Sequence, residues 1–363
     1  MPPVNRRRFL QLSAAASLMP GALIGSTKSA AGASGGYMLQ MNGYAVNAET
    51  PLELLTDYIT PISLFFVRSH WIPHPPALKS WKLAVDDTAF TLAELKTMPR
   101  AEVTCVLQCA GNGRALHSPI VPGVQWRYGA VGNARWRGVR VKDVLERAGG
   151  IKPEAKHLHL FGSDVPPGKV PPFHRSIEME KALDDCILAW EMNGEPLTAA
   201  HGAPLRLVVP GWAGDHWMKW LVRLSPRVEA QTGFYMDTAY RYEGKPLTEI
   251  AVKSNITTAP RRARAGKAQT IRGFAFSGAP DVEKVEISDD DGATWSAAAL
   301  DPRHVPHAWR LWSYSWTPRT PGTARLFARA TDSRGVAQPR EAVWNPSGYI
   351  YNAWHSVDVE VTA

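Results

Sequence analysis

The apolar patterning of this chain changes near residue 260, and that change most limits what it can fold into. From residue 34 to about 250, short apolar runs (residues 158–161 and 205–210) alternate with helical patterns. Residues 90–95 open with a capping box, Thr91 to Glu94. Residues 140–150 have helical apolar spacing and stop at Gly149 and Gly150. Residues 259–266 are charged and poor in apolar side chains, and read as a linker. Alternating strand patterns follow at 270–276, 282–288, 309–316, 324–330 and 357–361, with Asp291-Gly292 as a hairpin signal. The expectation is an α+β domain over 34–250 followed by an immunoglobulin-like β-sandwich over 251–363. The acidic run Asp289-Asp290-Asp291 lacks the spaced ligands of a calcium loop and reads as a turn.

The 363 residues, 45% of them hydrophobic, suffice for two cores. The net charge is +8, but Arg6, Arg7, Arg8 and Lys28 precede residue 34 with no acid among them. The remainder holds 37 basic against 33 acidic residues, or +4, with no basic-aromatic interleaving, so nucleic-acid binding is unsupported. Asn5-Arg6-Arg7-Arg8-Phe9-Leu10 has the twin-arginine arrangement, a modest apolar stretch follows, and Ala31-Gly32-Ala33 offers a cleavage site. Residues 1–33 are therefore expected to export the protein to the periplasm. The apolar stretch is too short and interrupted for a membrane span.

The chemistry concentrates around three cysteines. Cys105 and Cys109 on one extended strand would stand roughly 13 Å apart, beyond the ~7 Å limit for a disulfide. Cys105 and Cys186 read as buried core residues. No Cys-x-x-Cys-His is present for a c-type haem. Cys109 ends the apolar run 103–108 and opens the loop Ala110-Gly111-Asn112-Gly113-Arg114. A strand-end cysteine alone is usually core. Beside Arg114, which should favour the thiolate, it can hold a soft metal next to an anion.

Three further segments accompany it. Phe65-Phe66-Val67-Arg68-Ser69-His70-Trp71-Ile72-Pro73 places Arg68 to face an oxyanion with its planar fork. His201-Gly202-Ala203-Pro204-Leu205-Arg206 and the loop from Pro210 to Leu221 bracket glycines with Arg206 and Lys219, a charge pattern able to hold a phosphate-bearing group. Residues 233–241 offer Tyr240 beside Arg241.

In this order, these segments resemble the sulfite oxidase family of molybdenum enzymes. So do Asn133-Ala134-Arg135-Trp136-Arg137-Gly138-Val139, the Glu191-Met192-Asn193-Gly194 turn and Trp344-Asn345-Pro346-Ser347-Gly348. The resemblance implies one molybdenum, held by one pyranopterin and by Cys109. It implies pterin contacts from Phe66, Val67, Arg68, Ser69, His70, Asp164, His201, Arg206, Trp217, Met218 and Lys219. It implies a substrate pocket of Arg68, Arg114, Trp126 and Tyr240, and a dimerisation role for the second domain. The nearest branch is the bacterial sulfite dehydrogenases, because no cytochrome b5-like domain is present. The implied reaction oxidises sulfite to sulfate by oxygen-atom transfer, with Arg68 and Arg114 holding the anion and Tyr240 assisting proton movement. Electrons would pass to an external c-type cytochrome.

Two departures bear on the substrate. Animal members carry an arginine within the C-terminal Trp-Asn motif, where this chain has no basic residue between Trp344 and Asn352. A lysine between the cysteine loop and Trp126 is also missing, with Pro122 near its place. The pocket is thus less positive, and another sulfur compound or a sulfoxide stands as an alternative substrate. A secreted binding module without chemistry is the alternative of another class.

Overall fold

The computed structural model describes residues 39–40, 46–71 and 75–363. The expected export segment, and Ile72 and Pro73 of the Arg68 loop, lie outside the described residues. No helix among the described residues is long and apolar enough to cross a membrane.

Two sheets build the first domain. One runs in the order Glu195–Pro196, Ile187–Met192, Val131–Arg140, Arg100–Gln108, with Arg206–Val208 also paired to Ile187–Met192, all antiparallel. The other orders Thr88–Phe90, Leu83–Val85, Leu221–Arg227, His157–Gly162 and His174–Glu178. The helices are short because their signals are local. Thr91 caps Leu92–Thr97 through the full capping box. Val141–Arg147 buries Val141, Val144 and Leu145, and the chain leaves it through Gly149 and Gly150 at φ +115° and +89°.

The second domain is a sandwich of a four-stranded and a five-stranded sheet. Asp291 and Gly292 turn at φ +59° and +86°, between Val282–Ser288 and its partner Ser296–Ala297. Asp290 accepts from the Thr294 amide and the Ser288 hydroxyl, which makes the acidic run a turn. The expected linker is partly an edge strand. Arg262–Arg264 pairs in parallel with His355–Thr362, burying Ala263 and exposing both arginines. The period of two, rather than the charge content, decided the conformation; charged side chains are usual on a sheet edge.

The domains share a core. Leu55, Val106, Ala110, Val131 and Ala213 pack with Phe274, Phe276, Trp309 and Tyr349. The Trp309 indole donates to the Tyr58 carbonyl at 2.8 Å, and the Val106 amide to the His307 carbonyl at 2.9 Å. The residue after Cys109 is therefore packed against the sandwich.

Lys253, at 1% exposure, lies beside this junction and donates to the Tyr351 carbonyl at 2.9 Å. Burial pushes its ammonium down to about 7, with Glu49 pulling it back up. Unfolded, the same lysine keeps its proton to about pH 10.4. Between those values the unfolded chain binds more protons, so this lysine makes stability rise with pH from about 7 towards 10. Lys253→Met is expected to flatten that rise by on the order of a few kcal/mol, read as the difference in urea midpoints between the two proteins across that range.

Candidate active site

Cys109 is placed by the end of a β-ladder. Arg100–Gln108 pairs with Val131–Arg140 along its whole length, and the Cys109 amide adds one more bond, to the Ala130 carbonyl at 2.9 Å. The chain then turns. Asn112 donates its amide to the Cys109 carbonyl at 2.9 Å, and its side-chain oxygen accepts from the Ala130 amide at 3.2 Å. Gly113 follows at φ +96°, where a Cβ would lie 2.5 Å from Tyr351, so glycine is required there.

A cavity opens over this loop. Its wall brings together Phe66, Arg68, Ser69, His70, Cys109, Asp164, Arg206, Trp217, Met218, Lys219 and Tyr240. Four of the expected residues stand outside that wall: Val67, His201, Arg114 and Trp126. Val67 is spent on a bridge to Ala48. His201 lies behind the neighbouring Ala200, edge-on to Phe65 at 5.6 Å, and burial holds its imidazole neutral with a pKa of about 3.

Arg114 is the third. It is buried and donates to the Ser347 carbonyl and the Val124 carbonyl, both at 3.0 Å, and its guanidinium lies 5.4 Å over the Tyr349 ring. Tyr349 in turn stacks on Tyr240 at 5.7 Å. Arg114 is thus one aromatic layer behind the cavity wall and tied to backbone, where the sequence suggested a free cation. Trp126 is fully buried in the first core.

The cations of the wall also organise it. Lys219 donates to the Arg68 carbonyl at 2.9 Å, the Ser69 hydroxyl at 3.1 Å and the Ala200 carbonyl at 3.0 Å, pinning the Arg68 loop to the His201 turn. Burial, then repulsion from Arg206 and Arg68, pulls its ammonium well down, against Asp164. Arg206 sits 4.8 Å over Trp136 and 5.6 Å over Trp217, and donates to the His201 carbonyl at 3.0 Å. Its buried Nε has no partner. Burial lowers its pKa to about 9, so it remains charged at neutral pH.

Burial decides the acid–base states. The Cys109 thiol is pushed up by burial, although Arg68, the Gly111 amide and Arg114 favour the thiolate. Arg114 thus favours the thiolate as expected, but desolvation outweighs it. His70 is held neutral by burial and by Arg68, Lys219 and Arg175, and its Nε2 lies 2.9 Å from the Tyr240 hydroxyl.

Sequence reasoning missed a buried group at the back of this wall. Arg175 is 2.7 Å from Asp215 and 2.9 Å from His216 Nε2, and all three are buried. Asp215 and His216 stand within the glycine loop already singled out. Arg175 lies 40 positions away on the strand His174–Glu178, with no local signal to join them.

Comparison with known proteins agrees with this arrangement. Residues 70–235 match the family described as the oxidoreductase molybdopterin binding domain, and residues 245–362 the Mo-co oxidoreductase dimerisation domain. Mitochondrial sulfite oxidase of Homo sapiens is 36% identical over 361 residues, covering 87% of this chain and 64% of that protein. Sulfite oxidase of Arabidopsis thaliana is 32% identical, covering 86% of this chain and 91% of that one. The crystal structure of the sulfane dehydrogenase SoxCD from Paracoccus pantotrophus superposes with a TM-score of 0.78 at 29% identity, covering 88% of this chain and 85% of that one. The chain spans less than two thirds of the mitochondrial enzymes of Drosophila melanogaster and Homo sapiens, 62% and 64% of their lengths. The cysteine loop, the cation-lined cavity and the sandwich behind it thus belong to a member of the sulfite oxidase family of molybdopterin oxidoreductases, whose cofactor is molybdenum-bearing molybdopterin.

Proposed function

We propose that this chain is an exported, periplasmic oxidoreductase that oxidises sulfite to sulfate and passes the electrons to a c-type cytochrome, working as a homodimer through its second domain. The observation that carries this reading is the single cavity joining Cys109, Arg68, Lys219, Arg206 and Tyr240.

The residues fit the cofactor. Among the described residues no three His, Cys, Asp or Glu side chains converge as a metal site. A metal beside Cys109 therefore draws its other ligands from an organic group, as a dithiolene provides. The unpartnered Nε of Arg206, a residue of the cavity wall, suits its phosphate. Bound there, the group supplies two-electron oxygen-atom transfer.

The chain's own residues do the rest. Cys109 must give up its proton on loading, against the burial that raises its pKa. Arg68 presents charge to an anion from the wall, oriented by its bond to Asn47 Oδ1 at 3.2 Å. The Tyr240 hydroxyl, hydrogen-bonded to neutral His70, is held in the cavity wall where it can meet the reacting oxygen. Sulfite oxidation consumes one water and releases two electrons and two protons, so a proton exit is required. The aromatic wall of Phe66, Trp217 and Tyr240 limits water and strengthens each charge contact.

A second reading, oxidation of a less anionic sulfur compound, is favoured by one observation. Two of the Arg114 guanidinium nitrogens donate to backbone carbonyls, one of them from Ser347. The likeness to a sulfane dehydrogenase points the same way. Protein produced in a molybdate-fed, pterin-competent host is expected to hold about one molybdenum per chain. It is expected to reduce an artificial acceptor when sulfite is added. Turnover restricted to sulfane or thioether substrates would select the second reading, and a metal-free, well-folded protein would sink both.

A further inference from the structure

Tyr240 carries a backbone that a tyrosine rarely adopts. Its φ is +50°, in the left-handed region that is costly for a bulky side chain. Such strain persists only where surrounding contacts over-determine it. Here the contacts come from the buried group behind the cavity. The Arg175 guanidinium lies 5.5 Å over the Tyr240 ring. One of its nitrogens bonds Asp215 at 2.7 Å, and another donates to the Tyr235 carbonyl, in the π-helical turn that leads into Tyr240. His216 Nε2 lies 2.8 Å from the Leu247 carbonyl, and the Leu247 amide donates to the Tyr240 carbonyl at 2.8 Å. Arg175 and its partners therefore hold the ring from one side and the backbone from the other.

Stability is a poor account of this group. A buried ion pair is often matched or exceeded by apolar side chains of similar volume. This one is also incompletely paired: Arg175 Nε and Asp215 Oδ1 have no partner. Asp215 is part of the cavity wall itself.

We propose that Arg175 and Asp215 are positioning residues, a buried fork and counter-ion that fix the Tyr240 hydroxyl over the cavity in its strained conformation. The proposal rests on the reading of Tyr240 as part of the reacting site. A ring held within a fraction of an ångström of its working place can be worth about a hundredfold in rate, and the strained φ is what that placement requires.

The test uses the full chain loaded with cofactor and four variants: Tyr240→Phe, the double variant Arg175→Met/Asp215→Leu, the triple combination, and Arg175→Lys. The double variant replaces the ion pair with apolar groups, so a purely structural role predicts unchanged turnover. Positioning predicts retained molybdenum, a loss in kcat of about ten- to hundredfold and little change in KM. It also predicts that the triple variant is no worse than Tyr240→Phe, because both act on the same hydroxyl. A crystal structure of the double variant should show Tyr240 out of the left-handed region and off the Tyr349 ring.

Arg175→Lys keeps the buried charge paired, and so the fold, but loses the fork. It is expected to lose several-fold in kcat, and stands in should the double variant not fold. Wild-type kcat in either folded variant, or losses that simply add in the triple variant, would overturn the proposal. If Tyr240→Phe itself turns over at the wild-type rate, the reading of the site falls and the proposal with it. If the wild type oxidises no sulfur compound, the position of Tyr240 in the variant crystal structure still decides.

Discussion

Cys109→Ser is expected to reduce turnover to background and to strip molybdenum from the protein while the fold survives. Serine offers a hard oxygen that keeps its proton at neutral pH, where a soft thiolate is needed. The bonds that place residue 109 are backbone bonds, to the Ala130 carbonyl and from the Asn112 amide, and serine keeps both. The melting transition should therefore move little while metal analysis falls to zero. Two controls separate the ligand from ordinary buried thiols. Cys105 is fully buried, and a serine hydroxyl there should cost about 1–3 kcal/mol. Cys186 Sγ already donates to the Lys181 carbonyl at 3.2 Å, so serine should cost less there. Both control proteins should keep their molybdenum. Full activity in Cys109→Ser would mean that another residue holds the metal.

The second large effect concerns the arginines. If sulfite is the substrate, Arg68→Gln should raise the barrier by about 2–4 kcal/mol, the range for losing one preorganised charge-stabilising group. The loss should fall on kcat/KM at low sulfite, and added sulfate should compete in the wild type. Arg114→Gln is expected to do less to the charge at the cavity and more to the loop. The guanidinium is one ring behind the wall, and its loss leaves the Ser347 and Val124 carbonyls without their donor. Its signature is therefore a lower melting temperature with a smaller kinetic loss than Arg68→Gln. Equal kinetic losses would place Arg114 at the substrate. Strong sulfite turnover that survives both substitutions would refute the anion-holding role altogether.

Much of this was legible in the sequence because the signals are local. The capping box at Thr91, the Gly149-Gly150 stop and the Asp291-Gly292 turn each depend on residues within a few positions of one another. The segments around Arg68, Cys109, Arg206 and Tyr240 each carried a recognisable run, and most of the named side chains line one cavity. Long-range pairing was hidden. Nothing near Arg114 announces that residues 124 and 347 will take its hydrogen bonds. Nothing near Arg175 announces Asp215. The strand at Arg262–Arg264 was obscured differently: its charges suggested solvent, but a single inward alanine was enough to seat it on the sheet edge.

The core shared by the two domains has a consequence for how the enzyme is made. Tyr58 meets Trp309 across 251 positions of sequence, and Tyr349 stacks on Tyr240 close to the end of the chain. Contacts so far apart form late, because the whole intervening chain must be closed before they repay its entropy. A ribosome-bound chain that has released only the first domain lacks the rear wall of its own cysteine loop. Assembly of the pocket is therefore a post-synthetic event, and a cofactor arriving earlier meets a site without its backing.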